Sequence, residues 1–221
     1  MNAPNNKAAR PRDAASLIVF DADKRLVLMG QRAKKSRFLP DMFVFPGGGV
    51  EPADKILARQ FPLDKRLLHT PAHTTPLSAH ALGLSAIRET AEETGLYLGK
   101  PHQTAKPPQA EGWDLFRKQK LFPDLSALTY MGRAITPTES PLRSHARFFA
   151  AERHQLAGKL TDTDEIRNAD WYPLDHARHK LPLIDVTEMM LDRLALLLDN
   201  ARPPQAVFMH YRNGKTIIDH E

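Results

Sequence analysis

The sequence contains no cysteine among its 221 residues. This absence excludes disulfides, thiolate metal sites and a cysteine nucleophile, and it suits a reducing compartment. The sequence also lacks any apolar run near the roughly 18 residues that a membrane-spanning helix requires, and its start lacks the apolar core of a secretory signal. We therefore expect a cytoplasmic protein with no membrane partner.

A surplus of positive charge is present instead. The formal net charge is +5 and the pI is about 9.5, which favours an anionic partner, either nucleic acid or a phosphorylated small molecule. No basic stripe interleaved with aromatic residues and no known nucleic-acid motif accompanies this charge. We therefore expect a small-molecule nucleotide substrate and no nucleic-acid partner.

The chain divides into three parts by composition. Residues 1–13 are polar and predict a disordered N-terminal arm, residues 14–200 predict one domain, and residues 201–221 are set apart as a C-terminal tail. Within the domain, about 55–80 is an aperiodic, proline-bearing segment. Apolar runs predict strands, and helical periodicity and caps predict three helices. The strands are expected at 15–20, 25–30, 128–135, 145–151 and 168–172, and the helices at 78–94, 111–121 and 187–198.

The predicted helix 78–94 carries a dense group of charges in the stretch AIRETAEETG and stops at Gly95. A helical wheel places Glu89 and Glu93 opposite the apolar face, with Glu92 to one side. Like charges at this spacing repel each other. Either they form a solvated surface with Arg88 as a local counter-charge, or they gather around a divalent cation such as Mg²⁺.

Another stretch, FPGGG, precedes this helix, and its three glycines end at Gly49. Together, Gly48 and the stretch RETAEETGL at 88–96 resemble the Nudix hydrolase box, G-x5-E-x7-R-E-U-x-E-E-x-G-U, where U is aliphatic. Thr90 stands at the first aliphatic position. The resemblance implies an α/β fold, the Nudix-type α/β/α sandwich with a mixed β-sheet between helices.

The box is interrupted. Counted from Gly48, its arginine should fall at position 62, yet it is Arg88, so an insertion of 26 residues separates the two halves of the box. We assign this insertion to the aperiodic segment at about 55–80. The early glutamate position is occupied by Asp54 when counted from Gly48 and by His80 when counted back from Arg88. Asp54 is the better candidate for the carboxylate that braces Arg88. A box split in this way resembles a coenzyme A diphosphatase-like branch of the family.

The resemblance also implies site residues. Glu89 and Glu93 would be the principal ligands of Mg²⁺ (or Mn²⁺), with Glu92 and the Gly47 carbonyl in support, and Arg88 would orient the carboxylates. Family members often take a further carboxylate from a late loop. That residue, the general base, would be Glu165, six residues before Trp171, with Glu139 as the alternative.

A signature upstream of the glycines concerns the substrate. Arg32 and Arg37 keep the spacing of a motif that coenzyme A hydrolysing relatives carry before FPGG. Guanidinium groups bind phosphate oxygens in bidentate fashion, so both arginines, with Gly48, are expected to bind substrate. A solvated basic loop is the alternative interpretation of the two arginines.

We therefore expect a metal-dependent hydrolase that cleaves the diphosphate of a nucleoside diphosphate linked to another moiety, with coenzyme A or an acyl-CoA as substrate. The alternatives are ADP-ribose or another nucleotide as substrate, and a non-catalytic Nudix-fold binding or regulatory protein. The family also makes a homodimer possible.

Overall fold

The computed structural model describes residues 9–35, 39–61, 75–101, 110–140 and 142–221. Within these ranges the chain forms a large mixed sheet, a small second sheet and helices packed on both faces. This arrangement is the predicted α/β/α sandwich.

The strands are β1 (Arg12–Asp21), β2 (Leu26–Arg32), β3 (Phe43–Val44), β4 (Gly47–Gly49), β5 (Leu96–Pro101), β6 (Leu121–Pro123), β7 (Thr129–Ile135), β8 (Ser144–Glu152), β9 (Leu156–Gly158), β10 (Ile166–Pro173), β11 (Val207–Arg212) and β12 (Lys215–His220). The helices are α1 (Pro52–Ala58), α2 (Pro76–Thr94), α3 (Asp114–Lys118), α4 (Leu174–Lys180) and α5 (Asp185–Asn200), with two short 3₁₀ turns at Leu125–Ala127 and Arg153–Gln155.

The large sheet has the order β10-β2-β1-β8-β7-β11-β12 in the described part of the chain. Strand β1 is an interior strand of this sheet, parallel to β8 along most of its length and antiparallel to β2 at its far end. At its near end β1 pairs with the glycine strand β4, with Ala15 opposite Gly48. The strand predicted at 15–20 is thus β1, and both the strand predicted at 25–30 and the glycine strand pair with it.

Both faces of β1 are buried because its side chains alternate between two apolar cores. Leu17 and Val19 pack with α2, whereas Ile18 and Phe20 pack with α5. A strand covered on both faces is apolar at successive positions, which accounts for the run SLIVF. Helix α2 is thereby held against the sheet, and its position determines where the glutamates lie.

The small sheet, in the order β6-β5-β9, extends from the C-terminal end of α2. Gly95, with φ of 71°, ends the helix in the left-handed conformation and leads directly into β5. The confirmed helix spans 76–94, close to the prediction. The predicted helix at 111–121 is shorter, at 114–118, because Leu121 enters strand β6.

Both ends of the predicted domain differ from the structure. Strand β1 begins at Arg12, so the end of the predicted arm 1–13 belongs to the sheet, and residues 1–8 of that arm lie outside the described ranges. The segment 201–221 contains β11 and β12, and β11 extends the sheet by parallel pairing with β7. Its Val207 and Met209 are buried in the α5 core, and that burial stabilises the segment as part of the domain.

None of the helices in the described ranges has the length and apolar character needed to cross a membrane.

Candidate active site

Helix α2 begins and ends with strong local signals. Thr75 accepts a hydrogen bond from the Ser78 backbone N–H and caps the N-terminus. Near the other end Thr90, the departure from the aliphatic position of the box, is fully buried and donates its hydroxyl hydrogen to the Ala86 carbonyl, at 2.7 Å. A buried threonine with a satisfied hydroxyl fits an apolar position, so this substitution leaves the helix intact.

Strand β4 lies between β1 and α2, and its lack of side chains allows that close approach. A Cβ on Gly47 would lie 2.5 Å from the Ala15 carbonyl oxygen, and one on Gly48 would lie 2.4 Å from the Glu89 carboxyl group. Opposite Gly49 the space is open. The part of α2 that carries Glu89 and Glu93 is therefore covered by a glycine strand, whereas Glu92 remains exposed.

Two of the glutamates are largely buried beneath this strand. Glu93 is 7% exposed, and its carboxylate accepts a hydrogen bond of 2.8 Å from the Gly47 backbone N–H. Glu89 lies one helical turn earlier, with 13% of its side chain exposed and its carboxylate 3.0 Å from Arg88 Nη1. The solvated-surface interpretation is thus wrong for these two residues.

Arg88 is the centre of a buried ionic network. Its Nε and Nη2 atoms donate to the two carboxylate oxygens of Asp54, at 3.0 and 3.1 Å, which confirms Asp54 as the brace. Nη1 donates to Glu92 at 2.9 Å and Nη2 also to the Gly49 carbonyl at 3.0 Å. His80, the other residue considered for this role, is buried elsewhere in the core, beside Phe61. Arg88 therefore fastens α1, β4 and α2 together.

Burial and mutual repulsion disturb the ionisation of the glutamates. Burial raises the pKa of Glu89 to about 7 against the opposing charge of Arg88, with Glu92 and Glu165 adding repulsion. Burial likewise raises the pKa of Glu93 to about 8, although the Gly47 hydrogen bond opposes the shift. Burial alone would lower the pKa of Arg88, but the hydrogen bond and charge of Asp54 raise it above its ordinary value. Arg88 is therefore permanently charged, whereas Glu89 and Glu93 need positive charge in addition to Arg88 to be fully ionised at neutral pH.

A pocket of about 330 Å³ opens beside Glu93. It is lined by Arg32, Ala33, Lys35, Val44, Phe45, Gly47, Glu93, Asp164, Glu165 and Ile166. Glu165, predicted from the loop before Trp171, thus lies in the same pocket as Glu93. Arg32, predicted to bind substrate, also lines it. Residues from β2, β4, α2 and the β9–β10 loop therefore converge here.

Other predicted residues lie elsewhere. Glu139 is exposed in the β7–β8 turn, where Thr138 donates a hydrogen bond to it, and it does not line the pocket. Arg37 lies outside the described residues, as does the stretch 62–74 of the inserted segment. Gly48, predicted to bind substrate, faces the Glu89 carboxylate.

The donor set has the chemistry of a divalent-cation site, although its members are not gathered into one. Across the described ranges, no three His, Asp or Glu side chains are grouped so that they could hold a metal ion. The reason is visible in the contacts: Arg88 holds the carboxylates of Glu89 and Glu92, while the Gly47 N–H holds that of Glu93. Partly buried oxygen donors with raised pKa values nevertheless fit a hard cation such as Mg²⁺.

Three contributors to the site were not found by sequence reasoning. Lys35 and Asp164 line the pocket, and Ser85 donates its hydroxyl hydrogen to the Gly49 carbonyl at 3.0 Å. Asp164 is adjacent to Glu165, and Lys35 belongs to the basic stretch QRAKKSR that contains Arg32. Their position next to predicted site residues is the sequence signal that could have identified them. Ser85 stands three residues before Arg88, on the same side of α2.

Comparisons with known proteins agree with this architecture. No protein-family model matches the chain, and no curated protein matches it. Among solved structures, a NUDIX hydrolase from Alicyclobacillus acidocaldarius is 28% identical, with a TM-score of 0.65 over 87% of this chain and 97% of that one. A MutT protein from Bacillus halodurans (15% identity, TM-score 0.52, 94% and 97% covered) and one from Methanosarcina mazei (14%, 0.51, 89% and 100%) share the fold.

The sheet between helices, the glycine strand and the glutamate helix define a protein of the Nudix fold. Its similarity to the Nudix hydrolase from Alicyclobacillus acidocaldarius supports the Nudix superfamily and an enzyme of the pyrophosphohydrolase type.

Proposed function

We propose that this enzyme hydrolyses the diphosphate of a nucleoside diphosphate linked to another moiety, with coenzyme A or an acyl-CoA as substrate and Mg²⁺ (or Mn²⁺) as cofactor. The observation that carries the proposal is the pocket beside Glu93. Its lining combines the carboxylates of Glu93 and Glu165 with the cationic side chains of Arg32 and Lys35. A diphosphate carrying metal ions is complementary to such a mixed lining.

Glu89, Glu93, Glu92 and the Gly47 carbonyl are the residues that would hold the cation. When bound, the cation would neutralise charge on the diphosphate and on the leaving phosphate. Arg88 keeps Glu89 and Glu92 oriented through its Nη1 atom, and it is itself fixed by Asp54. We propose Arg88 as the residue that orients the carboxylates.

The bond change is a hydrolysis of a phosphoanhydride. The oxygen of a water molecule forms a bond to one phosphorus, the bond from that phosphorus to the bridging oxygen breaks, and the second phosphate leaves with the electron pair. We propose that Glu165 accepts the proton of the attacking water, because it lies in the pocket with Glu93. Glu139, exposed in another loop, is the less favoured base.

The coenzyme A proposal rests on the two arginines before the glycine strand. Coenzyme A carries a ribose phosphate beyond its diphosphate and therefore offers an additional dianionic group. Arg32 lines the pocket, and Arg37 follows it at the spacing of the coenzyme A signature. We propose that these arginines, with Gly48 near the diphosphate, bind the substrate.

A substrate panel tests the proposal. The purified enzyme with Mg²⁺ is incubated with coenzyme A, dephospho-coenzyme A, ADP-ribose and a dinucleoside polyphosphate, and the products are identified by mass spectrometry. We expect coenzyme A to be cleaved to adenosine bisphosphate and phosphopantetheine, with dephospho-coenzyme A cleaved less efficiently. If ADP-ribose is cleaved in preference to coenzyme A, the coenzyme A proposal is wrong and ADP-ribose is the substrate instead.

The variant Glu93→Gln tests the site itself. We expect turnover to fall by about a thousandfold or more, because the charge that supports catalysis is lost, while the amide oxygen can still accept the Gly47 hydrogen bond and preserve the fold. Glu188→Gln, an exposed position on α5, is the matched control and should keep full activity. An active Glu93→Gln enzyme would refute the assignment.

Two further features are proposed on general grounds. We propose a cytoplasmic location, based on the lack of cysteine, and a homodimer, based on the family resemblance. Size-exclusion chromatography with light scattering tests the oligomeric state.

A further inference from the structure

The loop between β9 and β10 is fastened to the C-terminal end of the glutamate helix. The Thr161 backbone N–H donates to the Thr94 carbonyl at 2.9 Å, and the Thr163 hydroxyl donates to the Glu93 carbonyl at 3.3 Å. Gly95 makes room for the loop, since a Cβ there would lie 2.8 Å from the Lys159 carbonyl oxygen. The backbone of one pocket residue, Glu93, therefore anchors the loop that carries another.

Thr163 also closes the turn that contains Glu165. Its hydroxyl accepts a hydrogen bond from the Ile166 N–H at 3.3 Å, and its own N–H donates to the Ile166 carbonyl at 3.1 Å. Asp164 and Glu165 lie between these two bonds, and both line the pocket. A single hydroxyl thus links the α2 backbone to the base of a two-residue turn.

The far side of the turn is held by a separate contact. The Ala33 N–H donates to the Glu165 carbonyl at 3.2 Å, which ties the turn to the end of β2, next to Arg32. The Glu165 backbone is consequently held between β2 and α2, although its side chain is exposed. An exposed carboxylate has no packing of its own to orient it, so the backbone contacts must do so.

We infer that Thr163 is a positioning residue that sets the Glu165 carboxylate relative to Glu93. This inference rests on the proposed function, because Glu165 is the proposed base. Loss of the hydroxyl would remove the link between the turn and the Glu93 carbonyl, while the backbone bonds of Thr161 to α2 and of Glu165 to β2 remained. The carboxylate would therefore move and the pocket would persist. Small displacements of a catalytic group are costly to the chemical step.

Three variants test the role of Thr163. Thr163→Val removes the hydroxyl at nearly constant volume, and we expect kcat to fall by about ten- to a hundredfold with KM changed less than about threefold. Thr163→Ser restores the hydroxyl and should recover most of kcat. Thr161→Val is the control on the same loop, because within the described residues no hydrogen bond involves its hydroxyl, and it should match the wild type.

Combination with Glu165→Gln separates positioning from mere stability. If Thr163 acts through Glu165, Thr163→Val should reduce kcat in the wild type and have little further effect in the Glu165→Gln enzyme. Equal losses in both backgrounds, or an unchanged kcat in Thr163→Val, would overturn the inference.

Hydrogen exchange distinguishes failure of the inference from failure of the proposed function. If the enzyme hydrolyses none of the diphosphates in the panel, the proposed function is refuted. The role of Thr163 is then judged from the hydrogen-exchange rates of the backbone amides in the loop. Faster exchange over 161–166 in Thr163→Val than in Thr161→Val would support the fastening. Unchanged exchange would refute it.

Discussion

At the scale of single residues, the missing side chain of Gly48 determines where the Glu89 carboxylate can lie. A Cβ on Gly48 would meet the end of that flexible side chain, whereas a Cβ on Gly47 would meet the backbone of Ser16 at 2.7 Å. Gly49 has open space in front of it. The three consecutive glycines therefore differ: a side chain is excluded by backbone at Gly47 and by the Glu89 carboxylate at Gly48, whereas there is room for one at Gly49.

Gly48→Ala should impair activity more than stability. The new methyl group can be accommodated if the Glu89 carboxylate moves, so we expect kcat to fall about tenfold or more and the melting temperature to change little. Steady-state kinetics and thermal unfolding provide the two readouts. Gly49→Ala is the control and should retain kcat; equal kcat in Gly48→Ala and Gly49→Ala would contradict the interpretation.

At the scale of elements, a buried ion pair joins α1 to α2 across the interrupted box. The inserted segment separates Asp54 from Arg88 by 34 positions, yet the two side chains meet with two hydrogen bonds. Their side chains are 0% and 3% exposed. The insertion therefore leaves the geometry of the bracing pair intact.

Asp54→Asn should destabilise the fold, because the buried guanidinium of Arg88 loses its main counter-charge. We expect a loss of about 3 kcal/mol in the free energy of unfolding, with Glu89 and Glu92 providing partial compensation. The matched control is Asp199→Asn, which breaks the surface pair with Arg25 and should cost under about 0.5 kcal/mol. Urea unfolding measures both, and similar losses for the two variants would contradict a dominant role for the Asp54 pair.

Local sequence signals identified the main elements better than their pairing. Helical periodicity and Gly95 predict α2 at 78–94, within two residues of its observed start, and the Thr75 cap that marks this start was not used. Strands β11 and β12 were not predicted. Strand β11 is stabilised by pairing with β7, more than 70 residues earlier in the chain, and β12 pairs with β11 in turn. Burial of Val207 and Met209 beneath α5 depends on the same distant contacts.

At the scale of the whole molecule, a polar cluster joins four segments at one end of the sheet. His145 on β8 lies 3.1 Å from Arg133 on β7, and Arg147 pairs with Asp13 on β1. Glu221, from the final segment, pairs with Arg133. Burial and the positive charges of Arg147 and Arg133 lower the pKa of His145 to about 4, although the negative charge of Asp13 opposes this shift.

This shift predicts a pH dependence of stability. An unfolded histidine titrates near 6.5, so between pH 6.5 and 4 the unfolded state binds the proton first. The contribution of neutral His145 is therefore present above pH 6.5 and is lost as the pH falls toward 4. In His145→Gln, which keeps a hydrogen-bond acceptor for Arg133, we expect a smaller fall in urea midpoint between pH 7 and pH 5 than in the wild type. If the urea midpoint falls equally in both proteins, the pH dependence of stability arises from groups other than His145.

The sequence by itself determined the family resemblance, the glutamate helix with its ends, and the candidates Asp54 and Glu165, because these depend on residue type and spacing along the chain. Only the tertiary structure decided that Asp54 braces Arg88, that Glu165 shares a pocket with Glu93 and Arg32, and that Glu139 lies apart. It also decided that Glu89 and Glu93 are covered by a glycine strand and that residues 201–221 complete the sheet. The physical reason is that burial and charge pairing are properties of segments distant in sequence, which are brought together only when the two cores form around β1.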